Sequence, residues 1–196
     1  MKPLTGLRIA DFTVHASEPF CTHMLSQMGA EVIKVETALR PDIFRKSHAV
    51  YGRQGPATFD QVSSNKLSVR LNLKHPEGVA LAKKLVGVAD VAAESFRAGV
   101  MSRLGLGYDV LRGVKRDIVM VSVSSSGQTG PESHKAGYAS VGEAKGGLRY
   151  LIGEPDRLPA RAGVSLGDTM TGTFAALGTM MALFAREKSG KGQVVD

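Results

Sequence analysis

A chain of 196 residues with 43% hydrophobic and 22% charged residues has the balance of an ordinary water-soluble protein, with length for one domain and a sizeable core, or at most two small domains. Its net charge of +7 favours anionic partners, but the chain has no zinc-ligand spacing, basic helix or Arg/Lys run interleaved with aromatics. Nucleic acid therefore ranks low, and a phosphate-rich small molecule suits the charge better.

A single cysteine, Cys21, permits no internal disulfide, suits a reducing compartment and reads as a small buried apolar residue. Met1-Lys2-Pro3-Leu4 shows no signal-peptide pattern, and no apolar run reaches the roughly 18 residues of a membrane helix. The expected setting is cytoplasmic, without membrane association.

In chain order, strand and helix alternate. Arg8 to Thr13 reads as a strand. A turn over Val14 to Pro19 follows, then a helix to about Met28, closed by Gly29, and a second strand over Glu31 to Glu36. Strand, short helix and strand within about 30 residues form a βαβ unit, which predicts a parallel sheet with right-handed crossover. The turn after the first strand is the usual ligand site of such sheets. It lacks G-x-G-x-x-G, so a dinucleotide is not indicated.

Thr37 to Lys66 reads as a long polar connection broken by Pro41, Gly52, Gly55 and Pro56. Its Arg40, Arg45, Lys46 and Arg53 are either phosphate contacts or, for most of them, solvated loop charges. Leu67 to Leu73 alternates apolar and polar residues as a half-buried strand does. Lys74 to Gly78 opens a helix with Pro76 in its first turn and Val79, Leu81, Ala82, Leu85 and Val86 as its buried side.

Val88 to Ser95 reads as a strand, short helices around Arg103-Leu104 and Val110-Leu111 follow, and Ile118 to Val123 is the most strand-like run. Ser124 to Pro131, small and turn-rich at a strand's end, leaves room for a ligand. Ala139 to Leu151 is helix-like with a break at Gly146-Gly147.

The longest helical segment opens at Val164-Ser165-Leu166-Gly167-Asp168-Thr169. Met170, Phe174, Leu177, Met181 and Phe184 recur at the period of one helical face, and Gly190 supplies the stop. Asp168 at that helix start would be held ionised and fixed in direction. From position alone, Asp168 is more simply a helix cap, as is Ser165; a nucleophile is the other reading.

These residues together resemble the class III coenzyme A transferases, a family that includes acyl-CoA racemases. The resemblance is carried by Leu4 to Ile9 into Asp11; Met28-Gly29-Ala30-Glu31-Val32-Ile33-Lys34-Val35-Glu36; Asp42 to Arg45; Asn65 to Ser68; Ala89-Asp90-Val91 into Phe96-Arg97-Ala98-Gly99; Arg103-Leu104-Gly105; Ser122 to Pro131; and Ser165-Leu166-Gly167-Asp168. It implies an α/β fold: a Rossmann-like open parallel sheet flanked by helices. Residues 1–196 would form one domain, the N-terminal part of the family's large domain, with the second domain absent.

By the same resemblance Asp168 is the catalytic aspartate, attacking an acyl-CoA such as succinyl-CoA. An aspartyl anhydride and an aspartyl-CoA thioester follow, and a carboxylic or dicarboxylic acid accepts the coenzyme. His15, Ala16, Leu71, Asn72, Leu73, Lys74, Phe96, Arg97 and Arg103 would flank coenzyme A, which is a substrate; no permanently bound cofactor and no metal are implied. Gly137-Tyr138-Ala139 stands where racemases carry Gly-His-Asp, which favours transferase over racemase.

Glu143 to Tyr150 resembles transferases acting on dicarboxylic and hydroxy-dicarboxylic acids. Family members are interlocked homodimers, so the implied partner is a second copy or a chain supplying the missing half. The rival readings are a non-catalytic or partner-dependent coenzyme A-binding fragment, the racemase, and, third, a Rossmann-like nucleotide binder.

Overall fold

Runs rich in Val, Ile and Ala pair into a single sheet. The structure, a computed structural model, describes residues 1–46 and 57–196. Its strands are β1 (Arg8–Phe12), β2 (Glu31–Glu36), β3 (Leu67–Arg70), β4 (Val91–Glu94), β5 (Val119–Ser122) and β6 (Val194–Val195). All pair in parallel, in the order β3-β2-β1-β4-β5-β6. The helices are α1 (Ser17–Gln27), α2 (Ala57–Ser63), α3 (Pro76–Gly87), α4 (Val100–Arg103), α5 (Tyr108–Val114), α6 (Ala139–Lys145) and α7 (Leu166–Ser189), with single turns at Ile43–Lys46 and Leu148–Leu151. This is the expected Rossmann-like open parallel sheet flanked by helices.

Successive strand residues feed opposite cores, as a period of two demands. Ile9, Val32, Val91 and Val119 join Cys21 and Leu25 of α1 and Ala175, Ala176 and Leu183 of α7 on one face. Ala10, Phe12, Ala92 and Met120 join Ala82 and Val86 of α3 with Met101, Leu106 and Leu111 on the other. Central strands buried on both faces explain why their sequences read as near-continuous apolar runs. Each fully buried side chain of this kind is worth about 1.5–3 kcal/mol of transfer free energy.

Several boundaries differ from expectation. The turn after β1 ends sooner, because α1 already starts at Ser17 and takes Pro19 into its first turn, where a missing N–H costs nothing. The polar stretch 37–66 is not all loop: it holds the turn at Ile43–Lys46 and the helix α2, anchored by buried Phe59 and Val62. Arg53 and the breakers at 52, 55 and 56 lie outside the described residues, as does the side chain of Lys46.

Four strands are shorter than read: β1 ends at Phe12 instead of Thr13, and three others contract further. The expected runs of residues 67–73, 88–95 and 118–123 contract to β3, β4 and β5. As an edge strand, β3 leaves Leu67 exposed, so its alternation does not mark a buried face. In α3, Ala82 and Val86 are buried, whereas Leu81 is exposed. The segment 139–151 breaks at Gly147, φ 79°, which separates α6 from a single turn.

The edge strand β6 carries no periodicity a two-residue element could show. It is fixed by Met120 N–H donating to the Gln193 carbonyl at 2.9 Å. Gly192 makes it possible: a Cβ there would lie 1.9 Å from the Ile118 carbonyl oxygen.

Candidate active site

The strand order reverses between β1 and β4, which opens a crevice at their C-terminal ends. Two loops are stitched together there. Ser95, just after β4, accepts the Val14 N–H at 2.8 Å and donates to the Val14 carbonyl at 3.1 Å. The next residue, His15, adopts φ 71°, a left-handed conformation that costs a residue with a Cβ on the order of 1–3 kcal/mol and persists only where the surroundings over-determine it.

The surroundings do so. His15 N–H donates to Asp42 Oδ2 at 3.1 Å, and the imidazole meets the rings of Phe44 and Tyr138 edge-on at centroid distances of 6.5 and 6.1 Å. Its Nδ1 is sealed from solvent and has no hydrogen-bond partner among the described residues.

Beneath this turn lies a buried ionic network. Lys66 Nζ touches Asp11 Oδ2 at 3.0 Å and also donates to the Pro19 carbonyl at 2.9 Å and Thr22 Oγ1 at 2.8 Å. Thr13 bonds the other Asp11 oxygen through its N–H and its hydroxyl. Burial pushes the Asp11 carboxyl up, but Lys66, Lys34 and Thr13 more than offset it and hold the group below its ordinary range. Lys34, itself buried, donates to the Thr13 carbonyl at 2.7 Å and lies 4.0 Å from Asp42. Ionic pairs with satisfied geometry fix a loop's position more than they add stability.

Asp168 enters from the opposite side, at the third position of α7. Ser165 is the N-cap residue of that helix, though its side chain makes no cap bond, and the cap reading fails for Asp168, which sits inside the first turn. The local donor is used elsewhere: Gly167 N–H donates to Glu143 Oε1 of α6 at 3.2 Å. Gly167 is required there, since a Cβ would lie 2.9 Å from that of Ala139. The second Glu143 oxygen faces Arg149 at 3.6 Å, too far for a hydrogen bond.

Asp168 is therefore partly buried with a carboxylate that makes no hydrogen bond among the described residues. Burial raises its pKa above the ordinary value, Arg161 opposes the rise, Glu143 adds to it and His15 opposes it. The expectation of a carboxylate held ionised by the helix start is corrected to this extent: desolvation outweighs the helix terminus. A desolvated carboxylate without a donor to quench it is a better nucleophile than a capped one.

The structure thus gathers His15, Tyr138, Glu143, Arg161 and Asp168. His15, expected to flank the coenzyme, also interacts electrostatically with Asp168; Ala16 is the residue preceding α1. The other expected coenzyme residues line the same strand ends. Leu71, Leu73 and Phe96 pack on a common apolar cluster, Asn72 and Lys74 are exposed at the tip of β3, and Phe96 N–H is held by Glu94 Oε2 at 2.8 Å. Arg97 and Arg103 are exposed, and the Arg103 guanidinium lies over Gly99, where an added Cβ would meet it at 3.1 Å. Arg45 is not a free phosphate contact: it forks onto Glu36 and stacks on Phe59 at 3.9 Å.

Sequence reasoning missed Glu143 and Arg161 as neighbours of Asp168, and Tyr138 as a neighbour of His15. It also missed Gln128, which ties the serine-rich loop to Gly99, Glu94 and Asp196. A polar residue inside an otherwise small-residue loop was the available signal for Gln128. Among the described residues there is no His/Cys/Asp/Glu cluster able to hold a metal, and no helix is long and apolar enough to cross a membrane. A groove lined by Lys2, Thr5, Asn65, Lys66 and Leu67 lies at the N-terminal ends of β2 and β3, and neither Asp168 nor His15 lines it.

Comparison with known proteins agrees with this fold. The model of CoA-transferase family III matches residues 4–196. The chain is 43% identical to the succinyl-CoA–D-citramalate CoA-transferase of Chloroflexus aurantiacus, over 100% of this chain and 48% of that protein. It is 40% identical to the beta subunit of the succinyl-CoA–L-malate CoA-transferase of the same organism, over 99% of this chain and 48% of that one. A CAIB/BAIF family protein from Brucella suis superposes with a TM-score of 0.93 at 33% identity, over 100% of this chain and 52% of the other. The chain spans about half the length of the relatives it matches.

Proposed function

We infer function from the premise that these matches establish: the chain belongs to CoA-transferase family III. We propose that it carries the reacting half of a CoA transferase, with Asp168 as nucleophile. Asp168 attacks the thioester carbonyl of an acyl-CoA, the C–S bond breaks and the thiolate leaves, giving an acyl-aspartyl anhydride. The thiolate then attacks the aspartyl carbonyl and releases the first acid, leaving aspartyl-CoA. An acceptor carboxylate and the thiolate repeat the two exchanges in reverse and regenerate Asp168. No proton is gained or lost, so the site needs an ionised carboxylate and donors for transient oxyanions, not an acid–base pair. The observation that carries this reading is a partly buried Asp168 carboxylate with no hydrogen-bond partner among the described residues, at a strand-end crevice.

Coenzyme A, several times negative, lies across the tips of β1, β3 and β4, with Lys74, Arg97 and Arg103 near its phosphates and Leu71, Leu73 and Phe96 against its adenine. The donor is succinyl-CoA and the acceptor a dicarboxylic or hydroxy-dicarboxylic acid, as the names of the most similar relatives suggest, and the compartment is the cytoplasm. The chain is one α/β domain corresponding to the first part of the family's large domain.

It works with a partner surface, such as a second copy. The exposed apolar stripe Met170, Phe174, Leu177, Met181 and Phe184 on α7 supports that. The racemase reading is weaker, because Tyr138 and Ala139 offer no second base.

The test is intact mass after incubation with succinyl-CoA, with and without hydroxylamine. A coenzyme-sized adduct or hydroxamate that vanishes in Asp168→Ala is expected. Its absence in the wild-type protein would move the assignment to a partner-dependent coenzyme A-binding fragment.

A further inference from the structure

Three observations about His15 go beyond a contact to coenzyme. Its backbone is held at φ 71° by locks from separate parts of the fold: Asp42 on its N–H, Ser95 on both backbone groups of Val14, and the rings of Phe44 and Tyr138 on its imidazole. So many restraints on one strained turn residue fix a side chain in place for use. Of the two ring nitrogens, Nδ1 is sealed and unpartnered. With no acceptor for Nδ1 among the described residues, Nε2 carries the proton of the neutral ring. Tyr138, which the ring meets, leads into α6, whose Ala139 and Glu143 contact Gly167 beside Asp168, so the fold brings the ring to the Asp168 side although 153 residues separate them in sequence (168 − 15).

Resting on the proposed transferase reading, we propose that His15 is a further catalytic residue, whose Nε2–H stabilises the oxyanion formed when Asp168 attacks the acyl carbonyl. As the carboxylate oxygen bonds to the carbonyl carbon, the π pair moves onto oxygen and accepts the Nε2–H hydrogen bond. When the C–S bond breaks, the pair returns and the thiolate departs. The proton stays on Nε2 throughout, so His15 acts as a fixed donor in the first and last exchanges, the two that pass through this acyl oxyanion.

The variants follow from ring geometry. His15→Asn tolerates the left-handed backbone and places its amide near the Nδ1 position, with no donor where Nε2 stood. His15→Gln is one carbon longer and brings an amide N–H to that place. The measurement is the rate of Asp168 acylation by succinyl-CoA, read as adduct mass against time, alongside the Kd for free coenzyme A and the melting temperature.

The expected result is a loss of about a hundredfold or more in His15→Asn, with coenzyme affinity and melting unchanged and most of the rate restored in His15→Gln. Acylation of His15→Asn within a few-fold of wild type overturns the proposal and leaves the transferase reading standing. A rise in Kd matching the fall in rate also overturns it, and returns His15 to coenzyme binding. A wild-type Asp168 that never acylates overturns both readings together.

Discussion

Burial does most to raise the Asp168 pKa and Arg161 opposes it, but Glu143 adds to the rise and also accepts the adjacent Gly167 N–H. Glu143→Gln keeps an acceptor for that N–H and removes a like charge, so the Asp168 pKa falls. Acylation needs the ionised carboxylate and declines as pH drops through this pKa. The acid limb of the pH–rate profile should therefore move to lower pH in Glu143→Gln, and a shift to higher pH would contradict the assignment.

Glu18 presents the opposite case. It is fully buried with neither oxygen partnered among the described residues. Burial, then the Asp11 and Glu94 carboxylates, raise its pKa well above the ordinary value, and Lys66 only partly opposes them. The folded state thus holds a proton that the unfolded state releases. Stability from the protonated form is fully present below the unfolded value, near 4.5, and is lost as pH rises toward the folded one. Glu18→Gln should be nearly neutral at pH 4 and stabilising by about 1–3 kcal/mol at neutral pH, the scale of an unsatisfied buried group. Denaturant midpoints at the two pH values would measure it, and an equal effect at both would refute a proton-linked origin.

At the scale of elements, α7 inverts its own sequence signal. The periodic large residues face solvent, with Phe174 64% and Met181 61% exposed, while Gly172, Ala175, Ala176, Thr179 and Ala182 form the buried side. Small residues let α7 approach α1 closely: a Cβ on Gly172 would lie 2.4 Å from the Ser17 carbonyl oxygen and 2.9 Å from Phe20. Alanine in a helix interior gains up to about 1 kcal/mol over glycine, but overpacking against a backbone atom that cannot rotate away costs about 1–3 kcal/mol. Gly172→Ala should therefore lower the melting temperature. Phe174→Ser should leave stability within about 0.5 kcal/mol, as for an exposed site. Thermal melts of the two side by side test which face holds the helix, and the reverse order would assign the stripe to the core.

Across the whole molecule, the parallel sheet turns strand ends into one rim, and the basic excess has a use there. If Lys74, Arg97 and Arg103 meet coenzyme phosphates, affinity for coenzyme A should fall as salt rises from about 0.01 to about 0.15 M, where the Debye length shrinks from about 30 to about 8 Å. Titration calorimetry at the two salt levels checks this. Salt-independent binding would place the phosphates elsewhere.

The sequence by itself determined what depends on local order. The alternation of strand and helix, the buried centre of the sheet, the start and stop of α7 and the family signal in Gly29 to Glu36 and Leu166 to Asp168 all lie within short windows whose period or spacing is set by backbone geometry. Only the tertiary structure decided what depends on contacts between distant residues. The two-residue strand β6 exists because Gly192 lets it reach β5, and α7 buries its small face because α1 lies so near. His15 meets Asp168 because the sheet reverses order between β1 and β4. No local pattern encodes such meetings, since each is fixed by packing between segments far apart in the chain.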